Sequence, residues 1–101
     1  MPAYTAAKHG LVGLTRTAAL EYASQGVRVN LIAPGSFRTP MSERIYGEKI
    51  VEAVSNRTPM RRIAPAEEVA RAIVFLCSDQ ASFITGASLP VDGGKMAGPV
   101  I

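Results

Sequence analysis

Residues 4–25 contain no proline, are rich in Ala and Leu, and are followed by Gly26, the residue type favoured just past a helix C-terminus; they predict one long helix. At about 100° per residue its apolar positions fall into two stripes, one of Ala7, Leu11, Leu14, Ala18 and Tyr22, the other of Val12, Ala19, Leu20 and Ala23. A helix wetted on one side needs a single stripe, so two imply burial between its own sheet and a second body, another helix or another subunit. Residues 27–33 are short and β-branched and stop at Pro34-Gly35, which predicts a strand running into a loop.

Residues 36–64 mix Pro, Gly, Ser, Thr and Arg around a helical patch at 42–56, where Ile45, Ile50, Val51 and Val54 supply a weak apolar face. This is a lid-like segment, made moderately apolar by Met41, Ile45 and Tyr46. A further helix is marked by Pro65 at its first position and by Glu67 and Glu68 in its first turn, where the helix dipole favours anions. Val69, Ala72, Ile73 and Leu76 follow at helical spacing. Residues 78–82 read as a turn or short helical piece, 88–91 as a short strand closed by Asp92-Gly93-Gly94, and 95–101 as a tail. Helix, strand and loop in alternation give an α/β class. Two short strands cannot cover three helices, however, because a two-stranded sheet is marginal by itself, so the rest of the sheet is expected elsewhere.

The chain has 101 residues, 48% of them hydrophobic and 19% charged, a globular balance with less charge than a domain this small normally shows. It reads as a piece that expects a partner. The net charge of +3 is spread along the chain, densest at Arg61-Arg62, which argues for a solvated surface and against nucleic-acid binding. No apolar run approaches the roughly 18 to 20 residues that span a bilayer, and no signal-peptide pattern opens the chain; the expectation is an unexported, cytoplasmic protein without a membrane partner. Cys77 is the single cysteine, which suits a reducing compartment, reads as a small buried filler, and has no partners at metal spacing; no metal site is expected.

Candidate chemistry begins at Tyr4-Thr5-Ala6-Ala7-Lys8. Residues four apart on a helix share a face, so the phenol and the ammonium project together. A free phenol holds its proton until about pH 10, and an adjacent ammonium favours the phenolate, which makes such a pair a general acid/base at neutral pH. On a helix surface the same spacing also arises by chance. His9 lacks a metal-spaced partner and reads as a surface or interface residue, and Asp92 before two glycines reads as a turn former.

The order and spacing of Tyr4-Thr5-Ala6-Ala7-Lys8-His9-Gly10, Val27-Arg28-Val29-Asn30, Pro34-Gly35, Arg38-Thr39-Pro40-Met41, Pro65-Ala66-Glu67-Glu68-Val69-Ala70, Phe75-Leu76-Cys77-Ser78-Asp79, Ile84-Thr85-Gly86 and Val91-Asp92-Gly93-Gly94 closely resemble the C-terminal portion of the short-chain dehydrogenase/reductase family. The resemblance runs from about Pro2 to Gly94. It implies an α/β fold, the C-terminal part of a doubly wound, Rossmann-type parallel sheet, with residues 1–94 belonging to one such domain. It also implies an oxidoreductase moving a hydride between NAD or NADP and a small alcohol or carbonyl substrate. Tyr4 matches the family's catalytic tyrosine, and Lys8 the lysine that binds the nicotinamide ribose and assists it. Pro34 and Gly35 match the turn lining the nicotinamide pocket, at the kind of strand end where open sheets bind ligands. Phe37 stands where the family often has an aliphatic residue whose backbone holds the carboxamide, and Thr39 matches a threonine that contacts the cofactor.

The glycine-rich turn that receives the pyrophosphate at a helix N-terminus is not in this chain, since Gly10-Leu11-Val12-Gly13 lies inside a helix. The family's serine and asparagine lie upstream of the tyrosine, where only three residues stand here. The chain is therefore expected to be a fragment of a subunit, inactive alone, within a homo-oligomer (dimer or tetramer) joined through its first helix and last strand. The alternative is a non-enzymatic remnant that docks onto intact subunits.

Overall fold

In the computed structural model, which describes residues 1–45 and 47–97, the order of elements is α1 (Pro2–Tyr22), β1 (Leu31–Pro34), β2 (Phe37–Arg38), α2 (Pro40–Ile45), α3 (Glu48–Arg57), β3 (Ala64–Pro65), α4 (Ala66–Cys77) and β4 (Ser88–Val91). Single 3-10 turns occupy Ala23–Gln25, Asp79–Ala81 and Lys95–Ala97. β1 pairs with β4 and β2 with β3. Both pairs are parallel: Phe37 lies opposite Ala64 and Arg38 opposite Pro65, while the Leu31 amide donates to the Ala87 carbonyl and the Gly35 amide to that of Val91, so partners advance together along both chains. No helix among the described residues is long and apolar enough to cross a membrane. The chain divides into two compact units, Met1–Ile32 with Phe75–Leu89, and Ala33–Val74 with Pro90–Ile101.

In the first unit, α1 opens with Pro2 in its first turn, where a missing amide costs nothing, and closes through the 3-10 turn on Gly26, whose φ of 75° only glycine adopts freely. Its buried residues are Thr15 and Ala19, with Val12 half-buried beside them, a line at steps of three and four along one face. The first predicted stripe therefore does not lie inside this unit: Leu14 is 66% exposed, as is Leu20 of the second at 83%, because both stand off that line. Residues 27–30, expected to begin the strand, precede β1 without belonging to it. One backbone bond persists there, from the Gly86 amide to the Val29 carbonyl (2.7 Å), and side chains make the rest: the Val29 amide donates to Thr85 Oγ1 (3.1 Å), the Ala87 amide to Asn30 Oδ1 (3.0 Å), and Asn30 Nδ2 to the Ile84 carbonyl (3.0 Å). The Arg28 guanidinium fastens the same loop through the carbonyls of Ile84 and Ser78, each at 3.2 Å. Ala81 and Leu76 complete the buried apolar set of this unit. Cys77, expected to be buried, is exposed, since one residue past Leu76 the helix has turned about 100° away from the core.

In the second unit the predicted helix at 42–56 is two helices. α3 starts on Gly47 with Glu48 in its first turn and Arg57 in its last, charges that suit the helix dipole. It ends at Thr58, which precedes Pro59 and is pushed into extended backbone (φ −88°, ψ 129°). Thr58 is buried, and its hydroxyl donates to the Val54 carbonyl at 2.9 Å. Pro65 is in β3, one residue before α4, rather than at the first helical position. Glu67 and Glu68 hold the first turn of α4 as expected, and Val69 is buried. The Arg62 guanidinium grips Glu68 with two hydrogen bonds, 2.7 and 2.9 Å, and those bonds, with the charge behind them, hold the Glu68 carboxyl below the usual carboxylate range. The apolar lid residue Tyr46 and the tail residues 98–101 lie outside the described residues.

Candidate active site

Tyr4 and Lys8 are in the first turns of α1, four residues apart on one face, with the ammonium 5.4 Å from the centroid of the phenol ring. The ring is 58% exposed, so the hydroxyl is reachable from outside this unit. The helix around the pair is braced locally. The Thr5 hydroxyl donates to the Met1 carbonyl (3.0 Å), and His9 Nδ1 lies 2.9 Å from the Thr5 carbonyl, a distance that assigns its proton to that nitrogen. His9 is thereby an exposed residue on the helix surface.

The other four candidates follow one another in the second unit. Pro34 ends β1, and the Gly35 amide donates to the Val91 carbonyl at 2.9 Å. A Cβ at Gly35 would stand 2.9 Å from both Cα and Cβ of Asp92, closer than side chains ordinarily approach, so this turn is confined to glycine by steric contact alone. Phe37 is half-buried in β2, its backbone in register with Ala64. Thr39 caps α2: its Oγ1 accepts from the Ser42 amide (3.0 Å), while Ser42 Oγ accepts from the Thr39 amide (2.8 Å) and donates to the Thr39 carbonyl (2.9 Å). This is a reciprocal cap with serine in the place usually held by glutamate. The Thr39 hydroxyl oxygen is engaged as an acceptor, and its proton remains available to a ligand.

Beside these residues runs an open groove of about 880 Å³, walled by Phe37, Ile50, Val51, Val54 and Ile63. Arg38, Glu48 and Glu52 give it charge. The sequence offered no sign of the Thr39–Ser42 cap beyond the two hydroxyl residues three apart, and none of the contact between Gly35 and Asp92.

Comparison with known proteins places the chain in a family. A family model described as enoyl-(acyl carrier protein) reductase matches residues 1–95. The chain is 48% identical over 97 residues to an uncharacterized short-chain type dehydrogenase/reductase of Sinorhizobium fredii, covering 94% of this chain and 18% of that one. It is 45% identical over 91 residues to a 3-oxoacyl-(acyl-carrier-protein) reductase of Thermotoga maritima, covering 90% of this chain and 37% of that one. Among solved structures, 4-hydroxyisoleucine dehydrogenase complexed with NADH superposes with a TM-score of 0.86 at 36% identity, over 97% of this chain and 41% of the other. The chain thus spans well under half the length of the relatives it matches, and over that span the family model, the relatives and the parallel α/β architecture concur: it belongs to the short-chain dehydrogenase/reductase family.

Proposed function

We propose that this chain supplies the acid/base pair and the nicotinamide-side loop of an NAD(P)-dependent dehydrogenase or reductase acting on a small alcohol or carbonyl compound. The observation that carries the reading is the Tyr4–Lys8 pair, an exposed phenol with an ammonium 5.4 Å from its ring centroid. The donor set suits a nicotinamide nucleotide. Lys8 offers an ammonium to the ribose hydroxyls, Thr39 a hydroxyl proton left over from its capping role, and Phe37 its backbone to the carboxamide, while Gly35 leaves the turn without a side chain. When bound, the cofactor supplies or accepts the hydride.

In the oxidative direction Tyr4 takes the proton of the substrate hydroxyl as the carbonyl forms, and in the reductive direction it returns that proton to the carbonyl oxygen. Lys8 orients the ribose side of the ligand and keeps positive charge over the phenol ring, 5.4 Å from its centroid. The apolar groove along Phe37, Ile50, Val51 and Val54 lies on the cofactor loop and suits the body of a substrate. The uncovered Leu14 and Leu20 of α1 support subunit contacts on that helix, in a homo-oligomer, and the lone thiol of Cys77 supports a reducing, cytoplasmic setting.

In the intact protein, Tyr4→Phe lowers turnover by about 10² to 10⁴-fold while cofactor affinity stays nearly constant, and Lys8→Ala loses both. Turnover retained in Tyr4→Phe overturns the role of Tyr4. A second reading, a non-catalytic piece that docks onto intact subunits, draws on the same exposed Leu14 and Leu20. It predicts association with intact subunits and no turnover with either nicotinamide.

A further inference from the structure

Asp92 does more than terminate β4. Both oxygens of its carboxylate are engaged by backbone amides ahead of it, Oδ1 by Gly94 and Oδ2 by Met96, each at 3.0 Å. The carboxylate thereby holds a knuckle in which Gly93 (φ 64°) and Gly94 (φ 95°) both stand in the left-handed region. Each side of that knuckle touches a different part of the unit. On one side Asp92 Cα and Cβ press the Gly35 turn so closely that a methyl there would sit 2.9 Å from each, with the Val91 carbonyl bonded to the Gly35 amide just before. On the other, the Gly93 carbonyl accepts from the Met60 amide (3.1 Å). There a methyl on Gly93 would fall 2.7 Å from Thr58 Cγ2, and Thr58 is the buried residue that closes α3. The knuckle is thus wedged between the loop that carries the cofactor candidates and the end of the helix that walls the groove.

We propose that Asp92 is a positioning residue for the nicotinamide loop: its carboxylate fixes the Gly93–Gly94 knuckle, and the knuckle sets the place of the Pro34–Gly35 turn against the end of α3. The proposal rests on the nicotinamide reading above. It assigns Asp92 no contact with the ligand. Removing the carboxylate leaves the amides of Gly94 and Met96 without their acceptors and lets the turn beneath Gly35 relax, so the loss falls on cofactor affinity more than on the chemical step at Tyr4.

The test uses the intact protein with reduced nicotinamide cofactor, NADH and NADPH tried separately, and reads the dissociation constant by cofactor fluorescence, kcat at saturating cofactor, and the melting temperature. Asp92→Ala is expected to weaken cofactor binding about tenfold with kcat within about twofold. Asp92→Asn, which keeps one acceptor for the Gly94 amide, is expected to fall between it and the wild type. Should Asp92→Ala fail to fold, Asp92→Asn carries the comparison alone. If both variants bind cofactor as the wild type does, or lose kcat and affinity in equal proportion to a lowered melting temperature, the positioning role is wrong and Asp92 only ends a strand. If the wild type itself binds neither nucleotide, the failure belongs to the nicotinamide reading instead.

Discussion

Arg61 is the one non-glycine residue at positive φ among the described residues, at 60°, and this makes it a sharp probe of the turn between α3 and β3. A side chain in the left-handed region costs about 1 to 2 kcal/mol through the approach of Cβ to the following carbonyl. Two things offset this. The Arg61 amide closes a turn on the Thr58 carbonyl at 2.8 Å, and its guanidinium donates to the Asn56 carbonyl at 3.0 Å, near the C-terminus of α3. That second bond is exposed and is worth about 0.5 kcal/mol. Both Arg61→Ala and Arg61→Gly delete it, so it cancels between them. What separates them is the strain, relieved only by glycine, less the roughly 0.5 to 1 kcal/mol that glycine loses through a freer unfolded chain. Arg61→Gly should therefore be the more stable variant by about 0.5 to 1 kcal/mol, a few degrees of melting temperature. At the exposed helical Ala53 the ordering must reverse, with Ala53→Gly destabilising by about 1 kcal/mol. Urea and thermal unfolding of the three variants in the intact protein decide the matter. Arg61→Ala at or above Arg61→Gly would show that the backbone at this position is unstrained and refute the reasoning.

Two further outcomes test the surface. Because Arg62 holds the Glu68 carboxyl below its usual range, the folded state gains from that carboxylate at neutral pH and loses the gain as pH falls below the ordinary carboxylate range and through the lowered value. The melting-temperature gap between wild type and Glu68→Gln should close between about pH 7 and pH 3 and shrink in molar salt, and a gap that persists at acid pH rules out the ion pair as its source. Gly13 lies inside α1 with nothing beyond the adjoining backbone of its own helix within 4 Å of where its Cβ would stand, so Gly13→Ala stabilises an uncovered helix by about 1 kcal/mol. A destabilised Gly13→Ala variant in the intact protein, read by thermal unfolding, would instead show that another surface presses on this stretch of α1.

What could be read from the residues alone was set by how far apart the deciding groups stand. The Tyr4–Lys8 pair was legible because helix geometry places residues four apart on one face, whatever the rest of the molecule does. The stop at Gly26 is legible for the same reason, fixed by the backbone freedom of a single residue. Residues 27–30 look like a strand by composition, yet partners more than 50 positions along the chain decide otherwise, Thr85 and Ile84 holding Val29 and Asn30 through side-chain bonds beside a single backbone bond from Gly86 to Val29. β2 and β3, two residues each, carried no periodic signal because their pairing depends wholly on one another. The Pro34–Gly35 turn belongs with these nonlocal cases. Its motif residues are adjacent and recognisable, but the residue packed against it, Asp92, comes from beyond α4. A substitution in that distant turn should therefore disturb cofactor binding while leaving the recognisable motif intact.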